Sequence, residues 1–129
     1  MLRDEHCPPH VHVDAGAWSA RFKFCFWHNN VELWDVVPQS RRPPTAVLEG
    51  LRHALGQPAH LRRARGIWWS KLQTVCLDHQ LWDEQINQVV VLKSIVTTTY
   101  IISSAWYVPE KNKTLLALMG ALEGVEITL

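Results

Sequence analysis

Ten residues near the start of the chain alternate without interruption. From Trp18 to Trp27, "WSARFKFCFW", the side chains Trp18, Ala20, Phe22, Phe24 and Phe26 take every second position, and Ser19, Arg21, Lys23, Cys25 and Trp27 lie between them. Successive side chains of a strand point to opposite faces. A half-buried β-strand therefore gathers all five apolar groups on one side. The flanks supply partners for it. Upstream, Val11 and Val13 alternate with His10, His12 and Asp14, and Ala15-Gly16 follows as a turn. Downstream, His28-Asn29-Asn30 is turn chemistry, because Asn tolerates the left-handed conformation. Val31 to Val37 then runs back. Residues 10–37 are expected to form a three-stranded antiparallel meander.

Pro38 to Pro44 is a connector, and Pro43-Pro44 can open a helix whose first turn needs no proline N–H. Val47, Leu48, Leu51, Ala54 and Leu55 fall at helical spacing, with Gly56 as a stop. A second, basic helix is expected over Pro58–Arg65, ended by Gly66. Ile67–Leu77 fits either type, and Asp78–Gln88 reads as helical. The β-branched run Val89–Trp106 predicts one or two strands, with a break near Ser103-Ser104. Thr114–Glu123 reads as a helix with Thr114 as its N-cap and Gly124 as its stop, before a short strand over Val125–Leu129. The expected class is α+β. An antiparallel sheet, made of the N-terminal meander and C-terminal strands, packs with helices in one domain over residues 1–129.

Composition narrows the partners. Hydrophobic residues make up 47% of the chain and charged residues 19%, a globular balance. The net charge of +1 is too small to call for a nucleic acid or a membrane surface. Three cysteines, Cys7, Cys25 and Cys76, do not read as a disulfide framework, so a cytoplasmic location is expected. The start lacks the apolar region of a signal peptide. The apolar stretch Val89–Val108 holds Lys93 and many Ser and Thr, too polar for a membrane span. Seven tryptophans are more than a domain this small hides easily. Trp18 belongs with the core; Trp27, Trp34, Trp68, Trp69 and Trp106 are interface candidates.

"HCPPHVHV", residues 6 to 13, concentrates the chemistry. On a strand, His10 and His12 share a face about 7 Å apart at the backbone. Three readings follow. In the first and favoured one, Pro8-Pro9 is a stiff entry to a strand and the imidazoles bond nearby backbone. In the second, His10 and His12 are the catalytic acid and base of phosphodiester cleavage, because imidazole titrates near neutrality. In the third, His6, His10 and His12, or Asp14 or a neighbouring strand in place of His6, hold a zinc ion.

The run Glu5-His6-Cys7-Pro8-Pro9-His10-Val11-His12-Val13 resembles the DHxPPHxHV signature of a small bacterial domain family of unknown function, whose members often lie beside toxin–antitoxin genes. The resemblance continues through strand 18–27 and Arg41-Arg42-Pro43 to the helix at 45–55. It fades at Trp68-Trp69, so it covers roughly residues 3–69. It implies a small antiparallel sheet backed by helices and carries no catalytic residue over. This chain departs from it at Glu5, at Val11, and in beginning only five residues before His6, so that the strand which usually precedes the signature is either missing or lies upstream of Met1. A missing strand would leave a sheet edge open, to be filled by segment 89–102 or by a partner. Residues 70–129 are expected to be an addition outside the family.

Between Ser40 and Lys71 the basic residues Arg41, Arg42, Arg52, Arg62, Arg63, Arg65 and Lys71 face a single acid, Glu49. Arg41, Arg42, Arg62, Arg63 and Arg65 are candidate phosphate contacts, the last three beside Trp68 and Trp69 for base stacking. The favoured alternative is a solvated face that pairs with acidic segments. Together these features predict a non-enzymatic interaction module without a cofactor. It would self-associate as a homodimer, bind a protein partner, and play an antitoxin-like role. RNA or DNA binding with ribonuclease-like chemistry is the alternative, and a divalent-metal site the second.

Overall fold

The computed structural model describes residues 7–91 and 98–129. The meander forms as expected. Strand β1 (His10–Asp14) pairs antiparallel with β2 (Ser19–Lys23), which pairs antiparallel with β3 (Glu32–Val37). Ala20 and Phe22 on β2 are buried, as are Phe24 and Phe26, which continue the alternation past the ladder. A short 3-10 turn, Gln39–Arg41, leads to helix α1 (Thr45–Leu55). Leu48 of α1 is buried, and Leu51 and Leu55 pack on the core beside it.

Helix α2 (Pro58–Leu72) corrects the shorter helix expected to end at Gly66. Leu61, Arg65 and Trp68 are its buried residues, spaced to share one face, so the helix runs on until that face is covered. It ends at Gln73, which takes a left-handed conformation and donates its N–H to Trp69 O.

The C-terminal half is a five-stranded antiparallel sheet in the order β5-β4-β6-β7-β8. Its strands are β4 (Leu81–Asp83), β5 (Gln88–Val90), β6 (Thr99–Val108), β7 (Lys113–Leu118) and β8 (Val125–Thr128). Two expected helices are overturned. Asp78–Gln88 is mostly the β4–β5 hairpin, with Asp83 Oδ1 accepting the Gln85 N–H in its turn. Thr114–Glu123 supplies β7, where Thr114, Leu116 and Leu118 are buried and the residues between them are not. The break expected at Ser103-Ser104 is a register shift inside continuous β6. Gly124 ends no helix. A Cβ there would lie 2.6 Å from Leu116 O, so the residue must be small for the chain to pass close to β7.

One apolar core joins the halves. The Phe26 and Tyr107 rings meet at 5.1 Å and those of Trp27 and Trp82 at 6.3 Å. Arg62 donates to Pro109 O and Glu110 O in the β6–β7 turn. Cys7 and Cys76 form a disulfide across 69 residues of sequence, which overturns the expectation of unpaired thiols. No described helix is long and apolar enough to cross a membrane.

Candidate functional site

The outer face of the first sheet carries its chemistry. Strand register places His12 opposite Arg21 and Arg21 opposite Asp35, a row of three polar groups across three strands. The row below is His10, Lys23 and Glu32. Between the rows the β2–β3 ladder shifts, with Arg21 facing Asp35 and Phe22 facing Leu33. Trp34 is the extra residue of this bulge, and a bulge re-aims a side chain. Its ring meets that of His10 at 5.2 Å, and the Arg21 guanidinium lies 4.0 Å from its centroid. Arg21 also grips Asp35 with two hydrogen bonds, Nε to Oδ1 at 2.9 Å and Nη2 to Oδ2. That grip holds the Asp35 carboxyl below its usual range.

His10 is fixed on three sides. Its ring packs edge-on against His12 at 5.1 Å, Trp34 at 5.2 Å and Trp68 at 5.4 Å. Its Nδ1 lies 2.8 Å from Pro8 O. A carbonyl only accepts, so Nδ1 is the donor in this bond and Nε2 is the ring nitrogen it leaves unused. Pro8 is thus one residue of a rigid seat for an imidazole.

The outer edge of β1 is open among the described residues. Phe24 donates to Pro9 O and Ala15 to Trp18 O, which puts positions 9, 11, 13 and 15 in hydrogen-bonded pairs with β2. The N–H and C=O groups of His10, His12 and Asp14 therefore point away from the sheet. Beside them runs a groove of about 410 Å³, whose far wall is Ala64, Ile67, Trp68, Lys71 and Leu72 of α2. Ile67 is 46% exposed. Of segment 89–102, expected to fill this edge, residues 89–90 and 99–102 belong to the second sheet, and residues 92–97 lie outside the described residues.

The other candidates scatter. Arg65 is 1% exposed, with Nε on Cys25 O and Nη2 on His28 O and Asn29 Oδ1, so it is a strut under the β2–β3 turn. Burial lowers its pKa, and the three acceptors compensate the buried charge. Arg62 bonds the β6–β7 turn and is exposed, as are Arg41, Arg42 and Arg63. Trp68 is buried and Trp69 packs on the core. Trp27 lies against Trp82 and His28, and Trp106 is 41% exposed. His6 lies outside the described residues. Among those described, no three His, Cys, Asp or Glu side chains in this chain converge as a metal site.

Sequence reasoning overlooked three features. The disulfide joins residues too far apart for spacing to signal. Arg65 showed its role only as an arginine at the spacing of Leu61 and Trp68 on the buried stripe. Trp34 reaches the His10 face through a bulge, which local pattern does not announce. Cys25 is the free thiol, and burial pushes its pKa up. No family model, curated protein or solved structure matches the chain.

Proposed function

We propose that the chain is a non-enzymatic interaction module that self-associates through the open edge of β1. The observation that carries this is the outward backbone of His10, His12 and Asp14 beside the α2 groove. Unpaired edge groups are a template for another strand. The sequence of β1, His-Val-His-Val-Asp, is complementary to itself when antiparallel. With His12 opposite the partner's His12, His10 faces the partner's Asp14 and Val11 faces the partner's Val13. That register uses the outward groups, because 10, 12 and 14 are the positions of β1 left unpaired among the described residues. The valines join the apolar side, over Trp68 and Leu72, and the imidazoles meet carboxylates on the polar side. A two-fold axis through His12 closes the pair.

Such a dimer presents a doubled polar face, with Trp34 and His10 from each copy, to a protein partner. The resemblance to the PPHxH signature makes that partner a toxin–antitoxin component in this proposal. The cytoplasmic placement loses the argument it rested on, since Cys7 is bonded to Cys76.

His12→Pro tests the reading. The His12 N–H takes no part in the β1–β2 ladder, so proline leaves the fold intact and removes one outward donor. Light scattering after gel filtration should show a dimer for the parent chain and a monomer for His12→Pro, with unchanged circular dichroism. Val13→Pro, at a position bonded to β2, should instead damage the fold. A monomeric parent chain at high concentration sinks the reading.

A further inference from the structure

Resting on that self-association, we infer that each β1–β1 interface holds two divalent-metal sites of zinc type, each formed by His10 and His12 of one protomer and the partner's Asp14. Three observations converge on it. The first is spacing. Two imidazoles on one tetrahedral zinc, at about 2.0–2.1 Å each, put their ring centroids about 5 Å apart. The centroids of His10 and His12 are 5.1 Å apart.

The second is the seat of His10. A ligating histidine commonly donates its other ring N–H to a carbonyl or carboxylate, which fixes the tautomer and turns the remaining nitrogen to the metal. His10 Nδ1 at 2.8 Å from Pro8 O is that arrangement, with Nε2 left to ligate. The packing of His10 against Trp34 and Trp68 holds the ring in place without using either nitrogen.

The third is the missing ligand. Within one protomer the described residues supply two imidazoles and no third donor in reach. Asp35 is engaged by Arg21, and Asp14 of the same strand accepts the Gly16 N–H at 2.9 Å through Oδ1. In the antiparallel register argued above, the partner's Asp14 lies directly opposite His10, where Cβ atoms are about 4.5–5.5 Å apart. Its second carboxylate oxygen is free for a metal. The two-fold axis repeats the set, which gives one zinc per chain. Each zinc has two nitrogens, one oxygen and a fourth position for water. The site is incomplete in a monomer, so metal and partner stabilise each other.

The test is a zinc chloride titration of the full chain by calorimetry, with mass measured in parallel in EDTA and in zinc. The expected result is one zinc per chain and a tighter dimer in zinc than in EDTA. His12→Gln and Asp14→Asn should each weaken zinc about a hundredfold or more, because losing even a residue that merely orients a ligand costs roughly 10–100-fold. The amide oxygen introduced by Asp14→Asn still accepts the Gly16 N–H, so that variant should remain a dimer in EDTA with unchanged circular dichroism. A dimer in EDTA that binds no zinc overturns the metal site and leaves the self-association standing. Zinc bound by a chain that stays monomeric, or lost in His6→Ala while Asp14→Asn binds normally, overturns the shared site in favour of an intrachain one. A chain that is monomeric in both conditions and takes no zinc overturns both.

Discussion

The two sheets of this molecule solve the same packing problem with opposite surfaces. The N-terminal sheet buries Ala20, Phe22 and Val36 on one face and sets histidine, arginine, lysine and carboxylates on the other. The C-terminal sheet buries Trp82, Ile102, Tyr107, Leu116 and Leu118, yet its outward residues include Ile101, Trp106, Leu115 and Ala117. Their edges differ as well. β5 and β8, which border the second sheet, are three and four residues long. Short edges are a common protection against unwanted pairing. β1 is longer, lies open among the described residues, and has a largely apolar helix wall beside it. In the proposed function, this contrast of polarity makes the first sheet the place of contact and the second its support.

The largest expected effect comes from the strut beneath the first sheet. Arg65→Ala removes three hydrogen bonds, taking from the Cys25 carbonyl its guanidinium donor and leaving the His28 carbonyl with the Cys25 thiol at 3.6 Å. We expect a loss of about 4 kcal/mol, from the cavity and the lost hydrogen bonds together. Arg65→Lys should recover little of it, because an ammonium lacks the fork that reaches all three acceptors. Urea unfolding measures both. A loss under about 1 kcal/mol for the alanine variant would mean that the turn at 25–29 does not depend on α2.

The next effect tests whether the regions are one unit. The Cys7–Cys76 bond ties the entry of β1 to the segment between α2 and β4. A loop of this length, 69 residues apart in sequence, contributes about 4 kcal/mol in the chain-entropy account. Measured contributions often fall below that account, so we expect Cys7→Ser with Cys76→Ser to cost about 3 kcal/mol. Both regions should still unfold in one transition, because Phe26–Tyr107 and Trp27–Trp82 span them. Two separated transitions by tryptophan fluorescence and circular dichroism would break the comparison into two independent domains.

The contrast of surfaces also explains what the chain discloses as sequence. The meander is legible because polar and apolar residues alternate strictly from His10 to Asp14 and from Trp18 to Phe26, and turn residues mark its ends. β7 is not. Lys113-Thr-Leu-Leu-Ala-Leu is rich in helix formers, and Leu115 and Ala117 mask the period-two pattern of Thr114, Leu116 and Leu118. Tertiary pairing with β6 and β8 overrides that local preference. Of the site, His10 and His12 on one face can be read from spacing alone. The open edge of β1 cannot, because which strands pair across a sheet leaves no local pattern, and neither can its α2 wall, because Gly66 reads as a helix stop ahead of Ile67, Trp68 and Leu72.

A smaller effect probes the second sheet's close packing. Gly124→Ala would place a methyl 2.6 Å from Leu116 O, a backbone atom that cannot swing aside. The approach of the chain to β7 must loosen, at about 2 kcal/mol. Faster amide exchange confined to β7 and β8, with the first sheet unchanged, is the expected signature. Equal protection in parent and variant would refute the close approach.

The smallest effect has the opposite sign, and it turns the comparison on buried polar groups. Arg65 in the first region has an acceptor for each bonded donor atom. Thr114 in the second is fully buried, with Oγ1 lacking a partner among the described residues. Its side chain shares the inner face with Leu116, and β-branching suits the strand. Thr114→Val keeps the shape and removes a desolvated hydroxyl, so we expect a gain of about 1 kcal/mol. The melting temperature should rise by about 3–6 °C for a chain of this size. Removing a buried polar group would then weaken one region and strengthen the other, because burial is costly only where hydrogen bonds go unmade. A loss of stability in Thr114→Val would instead show that the hydroxyl is satisfied.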